Sequence, residues 1–212
     1  LAAGRPAVTS RPAVLVLAGG RATRMGGGDK ALLPFDGFTL LDQVLDRLAA
    51  QGSRTLLSAN GDPARFSRFG LPVLADTLPD FWGPLAGVLA GLEWLLAHAP
   101  ETADLLTVPT DTPFLPRDLV PRLLAARAAE GATLACAASG GQVHPVVGLW
   151  PVALAPALRT ALTEEGVRRV EKFAARYPRV VVAFDTAPVD PFLNVNTPAE
   201  LTAAALLRRS AA

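Results

Sequence analysis

Three stretches carry residue types that could do chemistry together. The first, residues 17–30, reads LAGGRATRMGGGDK and follows directly on the apolar run Val14–Leu17. A loop this rich in glycine and cations either bends sharply for packing or wraps an anion. Gly19 and Gly20 would let backbone N–H groups approach a phosphate closely, and Arg24 and Lys30 could neutralise its charge. A glycine-rich turn carrying solvated cations would look the same in composition. Two common phosphate cradles are excluded. Asp29 separates Gly28 from Lys30 and Ala31 stands where a P-loop needs a hydroxyl, and no G-x-G-x-x-G occurs.

The second stretch, residues 107–116, reads TVPTDTPFLP and holds Asp111 just past an apolar run, between prolines. A carboxylate held rigidly there suits Mg²⁺, a hard cation that shares its oxygen ligands with phosphates. A turn former or helix cap beside proline is the other reading. The third, residues 194–198, reads NVNTP. Asn194 and Asn196 would share one face of an extended segment and offer amide donors and acceptors. Alternatively, Asn196 and Thr197 cap a helix beginning at Pro198. His144, before Pro145, reads as a buried or hydrogen-bonded histidine, and Arg168 and Arg169 as either an anion-facing pair or solvated helix charges.

Short β-type runs alternate with helical patterns and would position these residues. Strands are expected at 14–17, 55–58, 104–108, 133–138, 143–149 and 180–184. Helical spacing marks Leu41, Val44, Leu45 and Leu48, then Leu85, Val88, Leu89, Leu92 and Leu96 behind Pro84, then Leu119, Val120, Leu123 and Leu124. Further helices are expected around 152–162, 167–177 and 198–207. Such alternation predicts an α/β fold, a mostly parallel sheet with helices on both faces. Ligands in such folds bind beyond the carboxyl ends of the strands, where the loops after Leu17, Ser58 and Val108 would meet.

Composition bounds the rest. With 212 residues, half of them hydrophobic and 18% charged, the chain can bury a large core. A net charge of +1 argues against nucleic-acid binding by bulk electrostatics. One cysteine, Cys136, and two histidines leave too few ligands for a His/Cys zinc site, and the thiol reads as buried and structural in a reducing compartment. No apolar segment reads as a membrane span, and a cytoplasmic location is expected. Residues 1–13 read as a flexible extension and 14–212 as a single domain.

LAGGxxxRMGGxDK at 17–30, GPLAG at 83–87, PTDTPFLP at 109–116, HP at 144–145 and NVNTP at 194–198 together resemble the MobA-type molybdenum cofactor guanylyltransferases, in family order and spacing. The resemblance runs from about Val14 to the last helix. It implies a Rossmann-like three-layer sandwich of the nucleotide-diphospho-sugar transferase type, and transfer of GMP from Mg-GTP to molybdopterin with release of pyrophosphate. By motif position it implies nucleotide contacts from Leu17, Ala18, Gly19, Gly20, Lys30, Asn60, Asp76 and Asp111, with Mg²⁺ on Asp111. It implies catalytic roles for Arg24, Lys30 and Asp111, and a pterin side made of Gly27, Gly83, Gly87, Asn194 and Asn196. Recipient or cofactor-inserting molybdoenzyme proteins follow as partners. Gly61-Asp62 stands where relatives often carry a cation after the asparagine, and no acidic residue precedes Asp76. Phosphate cradles do not read the base, so the residues alone leave open a cytidylyltransferase for the same pterin, a sugar-phosphate nucleotidyltransferase, or a non-catalytic cofactor carrier.

Overall fold

The computed structural model describes residues 11–19, 29–78 and 83–210. β1 (Ala13–Leu17) is followed by a short 3-10 turn at Lys30–Leu32, the small hairpin β2 (Pro34–Phe35) and β3 (Phe38–Thr39), and α1 (Leu40–Leu48). Next come β4 (Thr55–Ser58), a 3-10 segment at Pro63–Phe69, β5 (Val73–Leu74), α2 (Pro84–His98) and β6 (Asp104–Pro109). The chain continues through α3 (Leu119–Ala129), β7 (Leu134–Ser139), β8 (Gln142–Pro151), α4 (Ala155–Thr163), α5 (Val170–Ala174), β9 (Arg179–Phe184) and α6 (Pro198–Ser210).

Seven strands form one sheet in the order β5-β4-β1-β6-β8-β7-β9. β1 alternates across it. Val14 and Val16 pack with Leu41, Val44, Leu119 and Leu123 on one face, whereas Ala13 and Leu15 pack with Leu85, Leu89, Leu92 and Leu158 on the other. This period of two, with both sides apolar, is what a strand covered by helices on both faces requires. Three layers result, with α1 and α3 on one side and α2, α4 and α5 on the other. Cys136 is buried in β7, and burial pushes its thiol pKa up, consistent with a structural role.

Several details differ from the sequence reading. The sheet is mostly parallel as expected, but β8 runs antiparallel to both β6 and β7. Gly140 and Gly141, at φ 53° and 79°, turn β7 straight back into β8, the left-handed pair that a two-residue hairpin needs. The helix expected over 167–177 shrinks to α5, since Arg169 is extended and Pro178 disfavours helical backbone before it. β1 begins at Ala13, inside the stretch read as an extension, and the Pro12 carbonyl accepts the Ser53 N–H at 2.9 Å. Residues 1–10 lie outside the described part. Among the described residues, no helix is long and apolar enough to cross a membrane.

Candidate active site

The three expected loop ends do converge. β1 pairs with β4 on one side and β6 on the other, so Leu17 stands level with both Ser58 and Pro109. Beyond this row lies a cleft of about 530 Å³ lined by Leu17, Gly19, Ser58, Asn60, Thr110 and Asp111, among others. Lys30, Asp76, Gly83, Gly87 and Asn196 also reach its wall. Ala18 sits beneath it, buried, its N–H bound to the Ser58 carbonyl at 2.8 Å. Gly20, Arg24 and Gly27 fall outside the described residues.

Lys30 is the hub. Its ammonium donates to Asp111 Oδ2 at 2.7 Å and to Asn196 Oδ1 at 2.6 Å, joining residues 81 and 166 positions apart. The side chains of Lys30 and Asp111 are 11% and 23% exposed, so the pair is sheltered yet open to a ligand. Asp111 is held from behind by its own carbonyl, which accepts the Val195 N–H at 2.9 Å. Val195 is buried, which leaves Asn194 and Asn196 exposed on either side of it. The helix cap is neither asparagine. Thr197 Oγ1 accepts the Glu200 N–H, while Glu200 accepts the N–H groups of Asn196 and Thr197. Those bonds, led by Asn196, hold the Glu200 carboxyl below its usual pKa. The Asn196 side chain is thereby left for Lys30.

At the other end of the cleft Asn60 and Asp76 lock each other. Asn60 Nδ2 donates to Asp76 Oδ2 at 2.7 Å, and the Asp76 N–H donates to Asn60 Oδ1 at 2.8 Å. The following 3-10 segment braces Asn60 from outside the cleft. Arg65 donates to the Asn60 carbonyl at 2.5 Å, and its Nε lies 2.6 Å from Asp29 Oδ2, a charge contact without hydrogen-bond alignment. Arg65 thus ties the end of the glycine loop to Asn60.

Gly83 and Gly87 have structural reasons to be glycine. Gly83 precedes α2 at φ 68°, ψ −158°, a conformation open essentially to glycine alone. A Cβ on Gly87 would meet Ser58 Oγ at 2.6 Å and Leu17 Cδ2 at 2.7 Å, so α2 can approach the sheet only without it. Both line the same cleft as Lys30 and Asn60.

A second cavity, about 330 Å³, adjoins the first and shares Pro109, Asp111 and Val146 with it. Thr112, Gln142, His144, Glu171 and Asn194 complete its polar wall. Of the residues assigned to a pterin side, only Asn194 lies here among those described. Sequence reading missed Ser58, Thr112, Gln142 and Glu171. The Gly140–Gly141 turn signal could have placed Gln142 opposite the strand it follows. Arg168 donates to the carbonyls of Leu162 and Val167, closing the end of α4, and Arg169 is exposed before α5.

A nucleotide-sized cleft beyond parallel strand ends, a lysine–aspartate pair and a second adjoining cavity suit a nucleotidyltransferase, and the comparisons with known proteins give that class. The family profile of the MobA-like NTP transferase domain matches residues 14–180. A molybdenum cofactor guanylyltransferase from Rhodopseudomonas palustris is 53% identical over 95% of both chains. The chain therefore belongs to the molybdenum cofactor guanylyltransferase family. Its fold is also that of molybdopterin-guanine dinucleotide biosynthesis protein A from Archaeoglobus fulgidus (TM-score 0.72, 21% identity, 93% of this chain and 99% of that one). A Mycobacterium tuberculosis protein solved in complex with manganese shares it too (TM-score 0.65, 20% identity, 92% and 97% covered).

Proposed function

We infer that the protein transfers GMP from GTP to the terminal phosphate of molybdopterin, forming the guanine dinucleotide cofactor. The observation that carries this reading is that Asp111 belongs to the walls of both cavities. A nucleotide in the first cleft and an acceptor in the second would meet beside one carboxylate and the lysine bound to it. The new bond runs from an acceptor phosphate oxygen to the α-phosphorus of GTP. The bond from that phosphorus to the bridging oxygen breaks, and pyrophosphate leaves with the electron pair.

A phosphate nucleophile is already anionic and needs no general base. Its obstacle is repulsion from the triphosphate. Lys30 lies where its ammonium can offset that repulsion, and the N–H groups of the strand-end loop can do the same. Asn60 and Asp76, rigid through their mutual bonds, suit the base and ribose end. Asn194 suits the acceptor side, and Asn196 acts through Lys30.

The donor set fits Mg²⁺. Among the described residues there is no group of three or more His, Cys, Asp or Glu that could cage a metal. A single accessible carboxylate is what Mg²⁺ uses when phosphates and water supply its remaining ligands. Bound at Asp111, it would supply further neutralisation of phosphate charge. The part read as one nucleotidyltransferase domain, 14–212, suits that reading, since both large apolar clusters are built on one sheet that also takes in Ala13.

The test is incubation with molybdopterin, Mg²⁺ and each nucleoside triphosphate in turn, with identification of the dinucleotide formed. GTP is expected to give product and pyrophosphate in equal amounts. Product from CTP and none from GTP would overturn the choice of base, and no product from any triphosphate would favour a carrier.

A further inference from the structure

Three side chains beside the second cavity form a hydrogen-bonded chain that the transfer chemistry does not itself require. Ser139 Oγ donates to Asp190 Oδ1 at 2.7 Å and lies 2.9 Å from His144 Nε2. Asp190 Oδ1 also accepts the Phe192 N–H at 2.9 Å, which fixes it as an acceptor. A serine hydroxyl has one proton to give. With that proton directed at Asp190, Ser139 presents a lone pair to His144, so Nε2 must carry the hydrogen.

The surroundings keep this arrangement in place. Ser139 is 3% exposed at the end of β7, and the His144 ring packs on Phe192 with centroids 4.9 Å apart. Burial lowers the His144 pKa and favours the neutral ring, with Asp190 opposing to a smaller extent. A neutral imidazole protonated on Nε2 has a free lone pair on Nδ1. Among the described residues Nδ1 has no hydrogen-bond partner, and it is not one of the atoms sealed from solvent. His144 itself lines the second cavity.

We propose that Ser139 and Asp190 are positioning residues that hold His144 as its Nε2–H tautomer, so that Nδ1 accepts a hydrogen bond from a ring N–H of the pterin acceptor. The proposal rests on the second cavity being the acceptor site. The relay sets the polarity of this wall. A ligand edge bearing an N–H is accepted, and one bearing only a carbonyl or ether oxygen meets a lone pair.

The experiment uses the full chain with ¹⁵N-labelled histidine, which gives only two imidazoles to resolve, His98→Gln assigning them. At neutral pH the His144 signal should be wholly Nε2-protonated, and should become a mixture of tautomers in Ser139→Ala. Adding molybdopterin without GTP should shift the Nδ1 resonance. In turnover, His144→Phe and Ser139→Ala should each raise KM for molybdopterin about tenfold, the weight of one neutral hydrogen bond, with KM for GTP unchanged. Ser139→Thr, which keeps the hydroxyl, should restore it. A wild-type His144 protonated on Nδ1, or a molybdopterin KM indifferent to both variants, would overturn the proposal. If the wild type forms no dinucleotide at all, the functional reading fails. The molybdopterin titration then still decides, because an unmoved Nδ1 signal overturns the relay's role.

Discussion

The two cavities meet at Asp111 but are built in different ways. The first is made by backbone geometry. Parallel strands β4, β1 and β6 end level with one another, and the groups on their loops are paired in advance: Lys30 with Asp111 and Asn196, Asn60 with Asp76. The second is made where the sheet changes direction, between the β7–β8 hairpin, α5 and the segment before α6. Its polar groups come from four separate stretches of chain. A site on parallel strand ends is rigid and suits a triphosphate, whose charge pattern is fixed. One built at a direction change can vary its wall without disturbing the strands, which suits recognition of a particular acceptor.

Breaking the shared residue should have the largest effect. Asp111→Ala is expected to slow pyrophosphate release by about a hundredfold or more with the thermal melt retained, since it removes a charge where the substrates meet. Unchanged release would separate the chemistry from both cavities. Lys30→Ala should weaken GTP binding by roughly ten- to a hundredfold in a direct titration, the weight of a charge-assisted contact. Gly87→Ala should cost about 1–3 kcal/mol of stability in denaturant unfolding, because its Cβ would fall within 2.7 Å of both Ser58 and Leu17. Unchanged stability would mean that α2 can shift, and that the first cleft is less rigid than the comparison requires. Asn194→Ala should raise KM for the acceptor by up to about tenfold and leave GTP affinity alone. A change in GTP affinity instead would show that the cavities do not act separately.

The first cavity was largely legible in the sequence. An apolar run followed by a polar loop marks a strand end, and three such ends, at 17, 58 and 108, predicted one shared site. The loop composition also singled out Lys30 and Asp111. The second cavity was mostly illegible. Glu171 carries no local signal, and Gln142 only the Gly140–Gly141 turn before it; their placement depends on β8 reversing direction and on α5 starting late. Helix capping stayed open between two residues for a similar reason, and Thr197 takes it. Asn196 and Thr197 are both good caps, and only the position of Lys30 decides that Asn196 turns away. The contact of Arg65 with the Asn60 carbonyl carried no sequence signal either, because it depends on a 3-10 turn that carries the side chain back.

The alternating elements, the apolar strands buried on both faces and the residue types able to hold a triphosphate were all written in the chain. These follow from short-range periodicity and from the chemistry of individual side chains. Which groups touch was settled by the packing of the layers. It brought Lys30 to partners 81 and 166 residues away, set Asp111 in two walls at once, and placed His144 against a serine that has a single proton to give. Hydrogen bonds are satisfied across the sheet, between segments remote in the chain. Which partner each donor finds is therefore a property of the packed layers and not of the local sequence.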